Sequence, residues 1–215
     1  MDTKKEKQGQ LIIIRHAESE WNALGKWTGT HDSHLTPYGF EASVDMGKCI
    51  IGITFDYAFA SMQVRSIETL SSILSVCLSD EQEKNFPIEH VSAFNERDYG
   101  DYTGKNKWDI EKEIGEENFN NIRRGWDYPI PNGESLKMVY ERAVPSFIEK
   151  IVPPINNEKN VLLVSHGNTI RALMKYIEKI SDNDISSSEM LFNSIAIYTL
   201  DKEGHMIHKE MRPVH

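Results

Sequence analysis

Short apolar runs along the chain predict strands that are buried on both faces. Residues 11–14 (Leu-Ile-Ile-Ile) and 161–164 (Val-Leu-Leu-Val) are unbroken runs of the kind found inside parallel sheets. Residues 55–60 and 195–200 are two further candidates, and the turn-like residues 201–204 close the second of them. The pattern therefore predicts at least four strands.

Helical periodicity fills the intervals between these strands. Apolar residues recur three and four positions apart in residues 64–78 and 136–147, and residues 169–177 follow a predicted strand directly. Alternating strands and helices predict an α/β fold, a three-layer α/β/α sandwich around a mostly parallel sheet. Residues 94–131 are polar, aromatic and punctuated by glycine, and we interpret them as a lid-like insertion.

Composition narrows the class of protein. The chain has 215 residues, of which 39% are hydrophobic and 27% charged, and its formal net charge is −9. This length predicts a single domain over residues 1–215, with residues 1–10 as a flexible tail. The acidic excess argues against a nucleic-acid partner, and no apolar run approaches the roughly 20 residues of a membrane helix. The tail lacks the apolar region of a signal peptide, so we expect a cytoplasmic protein.

Two of the predicted strands end in a histidine. His16 follows Arg15 after the first run, and His166 follows the run at residues 161–164. Ligands of open α/β sheets bind beyond the carboxyl ends of the strands, so both histidines should face one crevice if their strands are neighbours. Arg65 lies at the predicted start of a helix at the same edge, where helix N-termini favour anions. Arg15 and Arg65 together predict a clamp for a phosphate group.

Residues 15–22 (Arg-His-Ala-Glu-Ser-Glu-Trp-Asn) resemble the Arg-His-Gly-x-Ser-x-x-Asn signature of the histidine phosphatase superfamily. Within it, the chain is most similar to the 2,3-bisphosphoglycerate-dependent phosphoglycerate mutases. The most specific matches are the Asn-Glu-Arg-Asp-Tyr-Gly run at 95–100 and the pair Arg123 and Arg124. Further matches lie at residues 27–29, 35–39, 61–69, 104–107, 131–136 and 165–171.

The resemblance implies a reaction and a set of roles. It implies interconversion of 3-phosphoglycerate and 2-phosphoglycerate, in glycolysis and gluconeogenesis, through a phosphohistidine on His16 that 2,3-bisphosphoglycerate primes. Glu96 would be the general acid and base, and Arg15, Arg65 and His166 would complete the catalytic group. These donors would replace a metal, so none is expected. The implied substrate-binding residues are Ser19, Asn22, Thr28, Gly29, Arg97, Tyr99, Lys107, Arg123, Arg124, Gly167 and Asn168.

Departures from the family pattern keep other hypotheses open. Ala17 stands where the family usually has glycine, and its methyl group is expected to narrow the space beside the transferred phosphoryl group. Thr30 and His31 also depart from the usual sequence. These changes leave room for a metal-independent phosphatase of a small phosphomonoester, and a third possibility is an inactive binding module. The chain lacks a long insertion after Arg124, as short-form members do, so we expect a monomer or homodimer.

Overall fold

Two of the predicted apolar strands pair side by side in the middle of a sheet. In the computed structural model, which describes residues 9–189 and 192–214, the strands are β1 (Gln10–Arg15), β2 (Tyr57–Ala60), β3 (Ile88–His90), β4 (Val161–Ser165), β5 (Ser194–Leu200) and β6 (Met206–Pro213). Their order in the sheet of the described residues is β3-β2-β4-β1-β5-β6. The pairs β1–β4, β2–β4 and β2–β3 are parallel, whereas β1–β5 and β5–β6 are antiparallel. The mostly parallel sheet is confirmed, and β3 and β6 are additions to the predicted strands.

The expected tail ends earlier than the sequence suggests. Gln10 is the first residue of β1, and its amide donates to Asn160 Oδ1 at 2.9 Å. Gly9 is buried, with its amide donating to the carbonyl of Ile155 at 3.3 Å. The flexible tail predicted for residues 1–10 is therefore wrong for these two positions, because backbone and side-chain hydrogen bonds hold them. Residues 1–8 of that tail lie outside the described residues.

Helices cover both faces of the sheet. They are α1 (Glu20–Ala23), α2 (Pro37–Cys49), α3 (Val64–Cys77), α4 (Asp80–Lys84), α5 (Lys107–Ile114), α6 (Glu116–Arg124), α7 (Leu136–Lys150), α8 (Val152–Asn156) and α9 (Gly167–Ile177). Thr36 caps α2 by accepting from the Gly39 amide at 3.0 Å, and Pro37 occupies the first turn, where it sacrifices no hydrogen bond. None of the helices in the described ranges has both the length and the apolar character that crossing a membrane requires.

Alternate residues of the central strands belong to two separate apolar cores. Leu11 and Ile13 of β1 pack with residues of α7 and α9 on one face. Ile12 and Ile14 pack with residues of α2 and α3 on the other face. All four side chains are fully buried, which explains why the strand has no polar alternation. The three-layer arrangement expected from the sequence is therefore confirmed.

The insertion at residues 94–131 has a small apolar core of its own, which contains Tyr99, Phe119 and Ile122 and also includes Trp27. Its two ends meet where residues 131–133 cross Gly100. Gly100 has a φ of +48°, and a Cβ there would lie 2.0 Å from the Pro131 carbonyl oxygen. Only glycine fits this crossing, which closes the base of the insertion.

Candidate active site

The two strand-end histidines lie next to each other because their strands are neighbours in register. Arg15 pairs with Ser165 across β1 and β4, and the His16 amide donates to the Ser165 carbonyl at 2.9 Å. The ring centroids of His16 and His166 are 4.9 Å apart. The crevice predicted beyond the carboxyl ends of the strands is present at this point.

One nitrogen of His16 is committed to the backbone. Its Nδ1 lies 2.7 Å from the carbonyl oxygen of Ala17, an acceptor only, so Nδ1 carries the proton. The Nε2 atom consequently has a lone pair, towards which the Nε–H of Arg65 points at 3.3 Å. His16 is 2% exposed, and it lines the pocket. Its Nε2 is therefore the atom placed to act as a nucleophile.

Burial keeps both rings neutral. The pKa of His16 and that of His166 are held well below the usual histidine value, first by loss of solvent and then by the positive charge of Arg65. Arg15 adds to the same effect on both rings. A neutral imidazole has the free lone pair that attack on phosphorus requires.

Arg65 is anchored by the loop that faces α3. Its two terminal nitrogens donate to the carbonyls of Gly29 and His31, each at 2.9 Å, and the residue is fully buried. Burial lowers its pKa to about 10, which leaves the guanidinium charged at neutral pH. The structure thus places a rigid positive charge beside Nε2 of His16.

His166 offers a hydrogen-bond donor. Ser61 Oγ lies 2.7 Å from its Nε2 and accepts from the amide of Gln63, so the Ser61 hydroxyl hydrogen is available for Nε2. In the tautomer in which Ser61 donates to Nε2, Nδ1 carries the proton, and this buried atom has no hydrogen-bond partner among the described residues. Since a buried N–H without an acceptor costs free energy, an oxygen of a bound anion would satisfy it.

Glu96 projects from the first residues of the insertion towards the start of α9. Its Oε1 accepts from the amides of Arg97 at 2.7 Å and Asn168 at 3.3 Å, and the residue is 8% exposed. The backbone of Glu96 is held as well, because its amide donates to Gln63 and its carbonyl accepts from Arg142. A carboxylate held this firmly at a pocket wall suits proton transfer.

The insertion supplies a second cationic wall. Tyr99, Lys107, Arg123 and Arg124 all line the same pocket as His16. Burial, together with the positive charges of Arg123 and Arg15, lowers the pKa of Lys107 to about 8. The hydroxyl of Tyr99 accepts from Asn168 at 2.9 Å. The pocket therefore has positive side chains both beside His16 and on the insertion.

A buried arginine outside the predicted set holds that wall in place. Arg171 of α9 is 3% exposed and donates to the carbonyls of Arg123 at 3.1 Å and Arg124 at 2.9 Å. It also donates to the carbonyls of Ile185 and Ser188, each at 2.9 Å. One guanidinium thus joins the end of α6 to the segment that precedes β5.

Most residues predicted for the site line one pocket, and three do not. The lining set contains Arg15, His16, Asn22, Thr28, Gly29, Arg65, Glu96, Tyr99, Lys107, Arg123, Arg124, Gly167 and Asn168. His166 is fully buried, with its ring centroid 4.9 Å from that of His16, and is not one of the lining residues. Ser19 is the N-cap at the start of α1, where its hydroxyl accepts from the Asn22 amide. Arg97 is fully buried beneath Tyr99, where it donates to the Tyr99 hydroxyl and the Ile122 carbonyl.

Three lining residues were missed as site residues: Trp27, Arg171 and Glu189. Arg171 lies three positions after Asn168 on α9, so helical spacing could have placed it on the same face. Trp27 belongs both to the insertion core and to the pocket. Glu189 lies in a loop, and no local sequence pattern predicts that it lines the pocket.

The expectation for Ala17 is wrong. Its methyl group is fully buried in the core formed with Ile12 and Ile14, and Ala17 is not among the residues that line the pocket. The methyl group therefore packs beneath the strand end instead of narrowing the phosphoryl site.

A group with possible metal ligands lies elsewhere, at the turn between β5 and β6. His205 Nδ1 is 3.5 Å from Asp201 Oδ2 and 3.4 Å from Glu203 Oε2. Exposed acidic groups of this kind are common without a metal, and none of the three residues lines the pocket around His16.

Comparison with solved structures agrees with the fold. The chain is similar to Bacillus stearothermophilus YhfR, with a TM-score of 0.79 and 23% identity, over 93% of this chain and 95% of that one. It is also similar to the alpha-ribazole phosphatase from Shigella flexneri, with a TM-score of 0.73 and 20% identity over 95% of each chain.

Comparison of sequences identifies the family. A protein from Parvibaculum lavamentivorans named 2,3-bisphosphoglycerate-dependent phosphoglycerate mutase is 36% identical over 203 residues, which are 94% of this chain and 95% of that protein. The family model of the histidine phosphatase superfamily (branch 1) matches residues 11–210. The chain is therefore an enzyme that belongs to the histidine phosphatase superfamily.

Proposed function

We propose that the protein is a 2,3-bisphosphoglycerate-dependent phosphoglycerate mutase, which interconverts 3-phosphoglycerate and 2-phosphoglycerate. The observation that carries this proposal is a single pocket with two cationic parts. Arg15 and Arg65 lie beside His16, and Lys107, Arg123 and Arg124 come from the insertion. A mutase must hold a phosphate and a second anionic group together, whereas hydrolysis of a monoester requires only the first.

In this proposal Nε2 of His16 attacks phosphorus and forms a phosphohistidine. The proton stays on Nδ1, held by the Ala17 carbonyl, so the ring does not need to turn during transfer. Arg15, Arg65 and the Nδ1–H of His166 donate to the phosphoryl oxygens, where charge accumulates. His16 and Arg65 are already in contact, which supports a site organised before the substrate binds.

Glu96 moves the proton. As the phosphorus–oxygen bond of the substrate breaks, the departing oxygen takes a proton from the Glu96 carboxyl. For the return step, the carboxylate takes the proton of the other hydroxyl group, whose oxygen then attacks the phosphohistidine. The amides of Arg97 and Asn168 hold Glu96 in the orientation that both transfers use.

The pocket also suits 2,3-bisphosphoglycerate, which when bound supplies the phosphoryl group that primes His16. Its two phosphates would be held by the two cationic parts of the pocket. The same residues would carry the substrate: Asn22, Thr28, Gly29, Tyr99, Gly167 and Asn168 would contribute polar contacts, with Ser19 and Arg97 acting through the residues they hold. Because side chains provide the positive charge, we propose that no metal takes part.

We further propose a cellular setting for this reaction. A small phosphorylated metabolite is the partner, with neither nucleic acid nor membrane, and the enzyme acts in the cytoplasm as part of glycolysis and gluconeogenesis. The protein is a monomer or a homodimer. The relatives named as mutases support the metabolic role.

One experiment tests the reaction. The protein is given 3-phosphoglycerate in excess EDTA, with and without catalytic 2,3-bisphosphoglycerate, and 2-phosphoglycerate and inorganic phosphate are measured together. We expect rapid formation of 2-phosphoglycerate that requires the bisphosphate and survives chelation. His16→Ala should abolish it, whereas His90→Ala, at an exposed histidine of β3, should not. Full activity of His16→Ala would refute the proposal.

The second candidate is a metal-independent phosphatase, in which water accepts the phosphoryl group from His16. One observation favours it: the Glu189 carboxylate lies in the pocket and pairs with Arg124 at 2.9 Å, which reduces the charge available to a second anionic group. Release of inorganic phosphate without 2-phosphoglycerate would select this alternative.

A further inference from the structure

One carboxylate in the pocket has no part in the proposed reaction. Glu96 and Glu189 are the acidic residues of the lining set, and Glu96 is assigned to proton transfer. Glu189 Oε2 lies 2.9 Å from a terminal nitrogen of Arg124. An anionic side chain in a pocket for anions opposes ligand binding, so its position requires a physical reason.

The pair between Glu189 and Arg124 is held by the backbone on both sides. Arg171, which is nearly fully buried, donates to the carbonyl of Arg124 and to the carbonyl of Ser188, the residue before Glu189. Both partners of the ion pair therefore extend from main chain that is bonded to one guanidinium. Chance contact between two mobile surface side chains would lack this common anchor.

We propose that Glu189 is a specificity-determining residue, which competes with the second anionic group of a ligand for Arg124. The proposal deepens the proposed function and rests on its assignment of Arg124 to that second group. A carboxylate or second phosphate must displace Glu189 from Arg124 or share the guanidinium with it. A ligand with one phosphate and no other charge binds beside His16 and avoids this competition.

The charge on Glu189 thus lowers the affinity for ligands with two anionic groups relative to ligands with one. The side chain of Glu189 is 39% exposed and that of Arg124 is 28% exposed, so solvent screens the pair in part. Removal of the charge should therefore improve the dissociation constant of a doubly anionic ligand about threefold to tenfold. An increase in affinity cannot be produced by loss of folding.

The test compares two ligands that differ in one group. 3-Phosphoglycerate carries a carboxylate where glycerol 3-phosphate carries a hydroxymethyl group. Both dissociation constants are measured by calorimetry in the His16→Ala background, in which neither ligand is turned over. Glu189→Gln and Glu189→Ala should each tighten 3-phosphoglycerate about threefold to tenfold and change glycerol 3-phosphate less than about twofold. Glu149→Gln, at an exposed residue of α7, makes the same change of net charge and should leave the ratio unchanged.

An unchanged ratio, a weaker affinity for 3-phosphoglycerate, or an equal gain for both ligands would overturn the role of Glu189. The outcome is separate from that of the proposed reaction, since binding is measured without turnover. A protein that shows the predicted shift but forms no 2-phosphoglycerate would retain the role of Glu189 and lose the mutase assignment. A protein that forms 2-phosphoglycerate with an unchanged ratio would lose only the role of Glu189.

Discussion

Mild acid should destabilise this protein through its two buried imidazoles. The folded-state pKa of His16 and of His166 lies well below the ordinary histidine value of 6.5, because of burial and the charge of Arg65. The unfolded chain therefore binds more protons than the folded chain as the pH falls through 6.5. Burial of the two neutral rings contributes fully to the free energy of unfolding above the pKa of histidine in the unfolded chain. This contribution is lost progressively as the pH falls below that value.

As long as both rings stay neutral in the folded protein, the size of this loss of stability depends only on the pKa of histidine in the unfolded chain. Preferential protonation of the unfolded chain costs about 0.2 kcal/mol for each histidine at pH 7 and about 1.4 kcal/mol at pH 5.5. The two rings together should lower the free energy of unfolding by about 2 to 3 kcal/mol over this interval. Such a loss is a large part of the 5 to 15 kcal/mol typical of folded proteins.

Urea unfolding, followed by tryptophan fluorescence at pH 7.0 and 5.5, measures this loss. The buffers must be free of phosphate, because a bound anion stabilises the folded state by mass action. His16→Gln and His166→Gln should each reduce the pH-dependent loss by about half, whatever they do to the stability at pH 7. His34 acts in the opposite direction, since its hydrogen bond to Glu68 raises its pKa; His34→Gln removes that contribution.

Carboxylates do not account for this window. Hydrogen bonds lower the pKa of Asp56 and of Glu134 in the folded chain, and their stabilisation is lost as the pH falls below the unfolded values of 3.8 and 4.5. The reasoning would be refuted if both histidine variants lost as much stability between pH 7.0 and 5.5 as the unmodified protein.

Three further predictions concern the pocket. Glu96→Gln should lower kcat about 100-fold to 10,000-fold while changing the dissociation constant of 3-phosphoglycerate less than about threefold. Initial rates measure kcat and calorimetry measures the dissociation constant. A large change in both quantities would indicate that Glu96 has only a structural role. Gly167→Ala places a Cβ 3.2 Å from Cζ of Arg15, so kcat/KM should fall about tenfold; an unchanged value would show that Arg15 can shift without cost. The pKa of Lys107 is about 8, so 3-phosphoglycerate should bind with proton uptake at pH 8 and more weakly at pH 9. Calorimetry in buffers of different ionisation enthalpy measures that uptake, and Lys107→Gln should remove most of it.

The reacting part of the pocket could be predicted from the sequence because each residue has a local signal. An apolar run that ends in a histidine predicts a buried strand with its side chain at the carboxyl edge, and His16 lies there. The spatial neighbourhood of β1 and β4 has no such local signal. It depends on pairing between strands about 150 residues apart in the sequence, and the resemblance to a known family implied only that His16 and His166 belong to one catalytic group.

Other features could not be predicted from the sequence because tertiary contacts determine them. β6 is exposed along most of its length, with only Lys209 and Arg212 partly buried, so its strand state depends on pairing with β5 and not on an apolar run. Arg97 was assigned to the substrate from its motif, yet its guanidinium is buried below Tyr99. Glu189 is brought to the pocket by the loop that Arg171 anchors, and no pattern along the chain marks this contact.

The shared guanidinium of Arg171 has a consequence for how substrate range can change. The transfer atoms of His16 and His166 are carried by paired strands, whose backbone hydrogen bonds hold their separation. Of the residues that would act on the far end of a ligand, Arg123, Arg124 and Glu189 extend from the end of α6 and from the segment after residue 185, which meet at Arg171. Substitutions on those two segments can therefore alter which ligands are accepted while the phosphoryl-transfer geometry stays intact. A scaffold of this kind can therefore come to bind different ligands through substitutions outside the paired strands that carry the nucleophile.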